Sequence, residues 1–315
     1  KEDFIMETQY PIPNKLNGFL LILFFFAYLV LLWVASHVES RWDLAGITLA
    51  FTILMIPIYS LLHESTHGIL FSSPRWNEFF GLLLAAMFWA PFTFLRRIHV
   101  GHHRKNRTDF EIFDLYYPQD SRSKKIFFLY FNMIGIHWLS LPLSVFIFFI
   151  WPPLLRNPLF LSSVSIASKV EDITPEWVPR IRLESVGVLF FQGLLFWGLS
   201  LRWEAYLTLF LFHALIWSSQ NYVNHAFSPR DILKGAHNHS LGPITRRLYL
   251  NFNCHLAHHQ YPTISWKYLP HLVEPDPKRI SYWKAWLRLW KGPIAVTESS
   301  PRGKEEFFQN IPELQ

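Results

Sequence analysis

Long apolar runs alternate with short polar links along most of this chain. Residues 18–36 and 44–62 are each long enough to cross a bilayer as a helix, and only the polar link 37–43 separates them. Residues 186–201 and 206–219 repeat this arrangement further along the chain. The pattern therefore predicts two helical hairpins, which together make about four transmembrane helices.

Two other apolar segments are interrupted. Residues 79–95 are short and contain Pro91, which favours a re-entrant or in-plane segment over a full span. Residues 126–151 are longer, but Gly135 and Pro142 interrupt them, and we interpret this segment as one that enters the membrane and returns or lies in the interface. The expected fold is an all-α integral membrane protein with about four transmembrane helices plus re-entrant or interfacial segments.

The composition agrees with a membrane protein. The 315 residues are 51% hydrophobic and 18% aromatic, which is too apolar for an ordinary soluble domain. The formal charge is +6, and the basic residues lie beside apolar runs as the positive-inside rule requires, so we expect no nucleic-acid binding. We predict one domain with an N-terminal tail at 1–15, membrane helices and their connections over 18–222, and a cytosolic-side cap with a C-terminal tail over 223–315.

Histidines are concentrated in three short boxes with the sequences HESTH, HVGHH and HLAHH. Imidazole is the commonest neutral nitrogen ligand for iron, zinc and copper, and packing alone gives no reason to collect eight of them. Eight or more imidazoles can satisfy two metal ions, whereas one ion would leave several without a role. The predicted box ligands are His63, His67, His99, His102, His103, His255, His258 and His259.

Further ligands are predicted where the fourth helix leaves the membrane. Asn221 and His225 are four residues apart, so a helix would place both side chains on one face. We predict His225 as a ninth histidine ligand and Asn221 as a direct or water-bridged ligand. Carboxylates often accept a hydrogen bond from the other ring nitrogen of a ligand histidine, and we predict this role for Asp109 and Glu64.

The first box also has the form H-E-x-x-H, which is the zinc signature of many metallopeptidases. In a membrane peptidase His63 and His67 would bind zinc and Glu64 would act as the general base. Such a site needs only one further ligand and would leave six box histidines unused. A haem or metal transporter is another alternative, and we favour a redox centre over both.

The motifs HESTHG, HVGHH and NFNCHLAHHQYPTISWKYLP, in this order, resemble the membrane fatty acid desaturase superfamily, which also includes fatty acid and alkane hydroxylases and carotenoid ketolases. The resemblance covers about residues 44–272. It implies two iron ions bound on the cytosolic side of a four-helix membrane domain, with further ligation from an Asn-x-x-x-His element that Asn221 and His225 match. The first box has three residues between its histidines where acyl-CoA desaturases have four.

The predicted activity is the oxygen-dependent oxidation of an unactivated C–H bond in a long-chain acyl or other lipid substrate, with desaturation as the leading reaction. Hydroxylation, ketolation and oxidative decarboxylation to a terminal alkene begin with the same hydrogen abstraction and stay open as alternatives. The membrane surface lets a hydrocarbon chain slide into a dry tunnel, and we predict that His213 and Trp217 line it. Helical spacing places both on the face that carries Asn221.

The electrons must come from another protein. Cys254 is the only cysteine, which excludes an internal iron–sulfur or rubredoxin centre, and no fused cytochrome domain is evident. We expect a ferredoxin, a rubredoxin or a cytochrome with its reductase. Two loop histidines, His237 and His239, are predicted to contact phosphate or this donor protein, with outer-sphere partners of the metals or spare ligands as the alternative. The predicted docking face consists of Arg96, Arg97, Arg104, Lys105 and Arg107.

Overall fold

The computed structural model describes residues 9–157, 170–276 and 279–301. The first hairpin is formed by helices α1 (Asn14–His37) and α2 (Arg41–Thr66). The link between them is shorter than predicted, because the polar residues at both helix ends stay helical. Ser40 caps α2 by accepting a hydrogen bond from the Asp43 backbone N–H at 3.3 Å.

The next apolar segment forms two short helices instead of one span. These are α3 (Pro74–Met87) and α4 (Phe92–Lys105), whose axes differ by 96° at the break. Pro91 precedes α4, as expected where a helix must start anew. The Phe92 ring lies against Gly81, where a Cβ atom would be 2.3 Å from the ring. This close approach folds α4 back onto α3 and agrees with the predicted re-entrant segment.

A broken helix follows the short strand β1 (Leu115–Tyr116). It consists of α5 (Arg122–Phe131), a π-helical segment (Asn132–Ile136) and α6 (His137–Ile150). Gly135 has a φ of +114°, which a residue with a side chain rarely adopts, so the predicted interruption at this glycine is confirmed. Pro142 lies within α6 and does not end it. A short 3₁₀ helix (Pro152–Arg156) follows.

The second hairpin is formed by α7 (Val178–Gly198) and α8 (Trp203–Asn221), after a 3₁₀ turn at Pro175–Trp177. Helix α7 begins eight residues earlier than the apolar pattern predicts, because its charged first turns lie against α3 and α4. There Arg180 and Glu184 pair at 3.0 Å, and Glu184 accepts a hydrogen bond from the Thr93 backbone at 2.7 Å. At the other end of the bundle the Arg202 backbone N–H donates to Ser36 at 3.1 Å, so both hairpin turns lie on the same side.

Four helices in the described part of the chain are long and apolar enough to cross a membrane. Their number agrees with the prediction, although length and composition alone select the broken helix in place of α8. Trp203–Asn221 is less apolar than the other spans, since Glu204, His213 and Gln220 interrupt its hydrophobic sequence. The broken helix, in contrast, is long and apolar enough to cross a membrane. The four are Asn14–His37, Arg41–Thr66, Arg122–Ile150 and Pro175–Gly198.

The contacts of the broken helix show where its two ends lie. His137 is 2.8 Å from Asn221 at the end of α8, and Phe148 packs with Ile181 in the first turns of α7. Because α8 ends and α7 begins on the side of the boxes, both ends of α6 lie in that half of the bundle. This arrangement agrees with a segment that enters and returns.

Large apolar side chains face outward in stripes along the long helices. On α7, Leu183, Phe190 and Trp197 are 72%, 67% and 83% exposed. On α8 the exposed residues Leu207 and Leu211 are one turn apart. Apolar stripes of this kind are unfavourable in contact with water but favourable in contact with the hydrocarbon core of a bilayer. The exposed faces therefore identify an integral membrane protein.

The residues after α8 form a cap over the box end of the bundle. The cap contains α9 (Pro243–Leu248), α10 (His255–Gln260), a 3₁₀ turn (Leu269–His271), α11 (Tyr282–Leu289) and β2 (Ile294–Ala295). Strand β2 pairs in parallel with β1. Residues from α5, α11 and the segment after α8 share one apolar core, which fixes the cap to the bundle. The outermost parts of the predicted tails, 1–8 and 302–315, lie outside the described residues.

Candidate metal centre

Three helices and one turn bring the predicted ligand histidines together. Helix α2 ends in the first box, α4 carries the second and α10 carries the third. His225 lies in the turn that follows α8, because the helix ends at Asn221. All nine predicted histidines fall into two groups whose ring nitrogens converge.

The first group consists of five imidazoles whose ligand atoms lie within 4.8 Å of one another. His67 Nε2 is 2.7 Å from His99 Nε2, and His103 Nε2 is 3.1 Å from His258 Nε2. Nitrogen ligands about 2.1 Å from one ion lie at most about 4.2 Å apart, so small shifts would let this set surround a metal. The group contains His63, His67, His99, His103 and His258.

The second group has four imidazoles within the same limit of 4.8 Å: His102, His225, His255 and His259. His225 Nε2 lies 2.9 Å from His255 Nε2 and 3.2 Å from His102 Nε2. The second box therefore divides its ligands, since His99 and His103 join the first group and His102 joins the second. One turn of α4 thus links the two groups.

The chemistry of these side chains fits two metal ions. Within the described parts of the chain, His63 Nε2 and His259 Nε2 have no hydrogen-bond partner although both rings are buried. Buried polar atoms are normally paired, and a bound ion would satisfy these two. Neutral imidazoles without thiolates suit iron, zinc or copper. The residues would hold one ion in each group.

Burial keeps the ligand rings in the form that binds metal. Together with the neighbouring His102, burial lowers the pKa of His67 to about 3. Burial and the nearby imidazoles also lower the pKa values of His225, His255, His258 and His259 well below the ordinary value. A neutral ring offers a nitrogen lone pair near neutral pH, so protons compete weakly with a metal.

Two ligand rings are oriented through their second nitrogen. His102 Nδ1 contacts the Glu111 carboxylate, and His225 Nδ1 donates to the Gly235 carbonyl oxygen at 2.9 Å. In both rings the Nε2 atom is therefore left to face the metal. Glu111 could be found from the sequence only as one of several carboxylates after the second box. A backbone carbonyl such as that of Gly235 cannot be recognised as a partner from the sequence.

The structure does not give Asp109 the role that we predicted. Its carboxylate pairs with Arg230 at 2.7 Å and accepts a hydrogen bond from the Tyr117 hydroxyl at 2.7 Å. Asp109 follows the end of α4, where the chain has already turned away from the histidines. Glu111, two residues later, occupies the predicted position.

Glu64 is bonded to the cap instead of to a ligand ring. It is buried, and its carboxylate accepts a hydrogen bond from the Trp266 backbone N–H in the cap at 3.0 Å. Neither histidine group includes Glu64. Because α2 presents His63 and His67 on one face, the intervening Glu64 points to another and joins α2 to the cap. This placement is unfavourable for the general base of a zinc peptidase.

Asn221 lies beside the second group, but its side chain contacts another histidine. Its Nδ2 atom is 2.8 Å from His137 Nε2 in α6. The helical spacing to His225 is lost because α8 ends between the two residues. Ligation by Asn221 stays a prediction. His137 was not predicted as a site residue, because its only signal in the sequence is a histidine next to the break in an apolar segment.

The two loop histidines support the His225 turn. His237 Nε2 lies 3.2 Å from the Ala226 carbonyl oxygen, and His239 Nε2 lies 3.3 Å from that of Val223. Both rings are at least half-buried, and burial lowers the pKa of His237 to about 4. They hold backbone on either side of His225, which agrees with the alternative of outer-sphere partners, and neither belongs to the two histidine groups.

The basic cluster around the second box is largely neutralised. Arg107 is fully buried and pairs with Asp114 at 2.7 Å, and Lys105 is buried against Asp172 at 2.8 Å. Arg104 also pairs with Asp172, at 2.9 Å, and Arg96 pairs with Glu78. These cations stabilise the fold around α4. Lys105 and Arg107 are thus too buried to meet a donor protein, whereas docking at Arg96, Arg97 and Arg104 stays a prediction.

An apolar cavity of about 170 Å³ opens onto both histidine groups. Trp217 lines it, stacks on His137 with ring centroids 5.5 Å apart and meets Tyr59 edge to face. His213 lies one helical turn further from the metals and lines a smaller neighbouring cavity. We call the larger space the metal-side cavity. Its apolar walls include Leu62, Leu95, Ile98, Leu129, Met133, Leu141 and Phe252.

The fold and the site define an integral membrane protein with a histidine-rich centre suited to two metal ions. Comparison with known families then gives its identity at the level of the family. The chain belongs to the fatty acid desaturase family, whose sequence profile matches residues 40–286. No individual curated protein matches the chain. Family membership and the histidine groups together support oxidation of a lipid by a two-metal enzyme.

Proposed function

We propose that this protein is an oxygen-dependent di-iron oxidase that desaturates a long-chain acyl or related lipid. The observation that carries the proposal is the contact between an apolar cavity and both groups of converging imidazoles. Iron is favoured because zinc has no redox chemistry, and two irons bound here would pass electrons from an external donor to dioxygen, which is the oxidant for breaking an unactivated C–H bond.

The protein's own residues position the hydrocarbon and keep the site dry. Leu62, Ile98 and Leu141 give the cavity walls that exclude water and favour a methylene chain. Trp217 and Tyr59 close the wall that leads away from the metals. A chain in this cavity would lie beside His63 and His255, one from each group. One C–H bond of that chain would then lie near both histidine groups.

Electrons come from an external donor in this proposal, such as a ferredoxin, a rubredoxin or a cytochrome with its reductase. The box side of the bundle faces the cytosol, where such donors are found. The distribution of basic residues supports this orientation, because cytosolic connections are rich in Lys and Arg. The hairpin turns on the opposite side contain few basic residues, among them Arg41 and Arg202.

Metal analysis and product identification test the proposal together. The purified protein should contain about two iron ions per chain, as expected for two complete imidazole sites. Incubation with lipid, donor and dioxygen should yield a product with one new double bond, identified by mass spectrometry. A hydroxylated, ketonic or shortened product would instead support hydroxylation, ketolation or oxidative decarboxylation. One zinc ion without oxidation would contradict the proposal.

Glu64 separates the oxidase from the peptidase. In the oxidase it joins α2 to the cap, so the Glu64→Gln variant should keep its metal and part of its activity. In a zinc peptidase the same variant would keep zinc and lose all chemistry, because its general base is gone. Metal content and turnover of this single variant decide between the two.

A further inference from the structure

A second cavity of about 40 Å³ lies between α2 and α8, next to the metal-side cavity. Tyr59, Trp217, Asn221 and Phe252 line both cavities and so form the partition between them. The smaller space, which we call the distal chamber, reaches Thr52 and His213 at its deep end. It is large enough for a small polar group of a bound molecule or for water.

The polar groups at the deep end of the distal chamber have unmet hydrogen-bonding capacity. Thr52 and His213 are 3% and 1% exposed, yet Thr52 Oγ1 and both ring nitrogens of His213 lack partners among the described residues. At the cap end of the same chamber the polar groups are paired. There Ser60 donates to the Tyr249 carbonyl oxygen at 2.9 Å, and the Tyr249 hydroxyl donates to Gln220. Since leaving buried polar atoms unpaired is costly, the deep end points to a ligand.

The surroundings restrict the chemistry of that ligand. Aromatic rings enclose His213 on several sides, with those of Phe51, Phe88 and Trp138 at centroid distances of 6.4, 5.5 and 6.1 Å. An ionised ligand group would be strongly disfavoured in such an apolar place. A neutral imidazole has one donor and one acceptor, and a threonine hydroxyl can serve as either. The matching group is uncharged and both donates and accepts, which describes an alcohol hydroxyl better than a ketone.

The geometry points to a hydroxyl group of the lipid substrate bound between Thr52 and His213. This inference rests on the proposed function, because it assigns the other part of the same molecule to the metal-side cavity. Thr52 precedes His63 by eleven residues on α2, so the two lie roughly 16 Å apart along the helix. The substrate is then an oxygenated long-chain lipid, anchored by its hydroxyl at a fixed distance from the metals. The partition consists of side chains, whose rotation would let the chain pass.

Binding of two matched probes tests the distal chamber without any turnover. The full-length protein in detergent is incubated with a long-chain primary alcohol and with the alkane of equal length, and the retained amounts are measured by mass spectrometry. The retained amounts are first corrected for the partitioning of each probe into detergent alone. After this correction, the protein should retain about tenfold more alcohol than alkane, which corresponds to one or two neutral hydrogen bonds. The Thr52→Val variant, which replaces the hydroxyl by a methyl group of similar shape, should lose this preference.

A threonine one turn away on the same helix provides the control. The Thr48 hydroxyl donates to the Leu44 carbonyl oxygen at 2.7 Å and lines neither cavity, so the Thr48→Val variant should keep the preference. The His213→Phe variant should lose it, and if that variant does not fold, Thr52→Val decides alone. Equal alcohol preference in the unmodified protein, Thr48→Val and Thr52→Val would overturn the inference, since the chamber would then hold only water.

Metal content keeps this test separate from that of the proposed function. Loss of the alcohol preference with unchanged iron content supports the distal chamber as a substrate site. A protein that keeps the preference but contains no iron, or that oxidises no lipid, would contradict the proposed oxidase and leave the hydroxyl site standing.

Discussion

Each ligand imidazole has two ring nitrogens, and the partner of one decides where the other points. Glu111 fixes His102 in this way, and the Gly235 carbonyl fixes His225. Both rings belong to the second group, which has four imidazoles where the first has five. An ion bound in the second group would therefore depend more strongly on the orientation of each ring.

The Glu111→Gln variant tests this orientation. The amide cannot accept the His102 N–H with the strength of a carboxylate, so metal affinity and turnover should fall about 10- to 100-fold. Iron content after dialysis against a chelator gives the measurement. The Asp109→Asn variant is the control and should keep its iron, because Asp109 contacts Arg230 and Tyr117. Equal iron loss in both variants would argue against a special role of Glu111.

Removal of a ligand ring should empty one site. In the His259→Ala variant the second group keeps three imidazoles, and we expect about one iron per chain instead of two, with no turnover. The exposed His271 lies in the cap outside both groups, so His271→Ala should retain full iron and activity. Full activity of His259→Ala would remove this histidine from the centre.

At the scale of the element, α4 depends on the small size of Gly101. A Cβ atom at this position would lie 1.9 Å from Asp172 Oδ2. Asp172 has little freedom to move, because Arg104 and Lys105 hold its two oxygens at 2.9 and 2.8 Å. The glycine inside the second box thus lets α4 approach the segment before α7.

The Gly101→Ala variant should therefore be unstable. Overpacking at such a site typically costs about 1–3 kcal/mol, and displacement of α4 would move three ligand histidines. The variant should have a lower melting temperature and lower iron content than the unmodified protein. Gly187 on α7 has open space around its Cα, so Gly187→Ala should change neither measurement. An equally stable Gly101→Ala protein would show that Asp172 moves freely.

The sequence predicts the helices better than their ends. Uniform apolar runs determine α1 and α2, and the boxes predict eight of the nine converging histidines. Asn221 and His225 illustrate the limit, because a four-residue spacing implies a shared face only while the helix continues. Helix α8 ends between them, and its end depends on contacts with the cap that no local pattern encodes. The contact of Asp172 with Gly101 also depends on the tertiary fold, so no local pattern in the sequence predicts it.

At the scale of the whole molecule, the two hairpin turns lie opposite the boxes. The exposed Glu39 is in one of these turns, and the exposed Lys291 is on the box side. The positive-inside rule predicts that Glu39 lies on the non-cytosolic side of the membrane. Cys254 is buried and should not react, so new cysteines can be labelled one at a time.

Labelling of intact cells with a membrane-impermeant maleimide checks this orientation. The Glu39→Cys variant should react in intact cells, whereas Lys291→Cys should react only after the membrane is opened. The unmodified protein serves as the background. The reverse result would place the metal centre outside the cytosol and exclude cytosolic electron donors.

Stability should fall as the pH decreases. The pKa of His67 is lowered to about 3 and that of His237 to about 4, whereas an unfolded histidine titrates near its ordinary value of about 6.5. Below about pH 6.5 the unfolded chain therefore binds protons that the folded chain does not, so acid favours unfolding down to the folded pKa values. The melting temperature of the metal-free protein should decrease between about pH 7 and pH 5. A constant or rising value would contradict the burial of these rings.

The division of ligands between the two groups has a consequence for biosynthesis. A chain made from its N-terminus has four of the five rings of the first group once residue 103 has been added, but only His102 of the second. Neither group is complete until the third box emerges more than 150 residues later. The first ion can thus be captured early and the second only at the end. A chain that ends before the third box would therefore hold at most one ion, and only loosely.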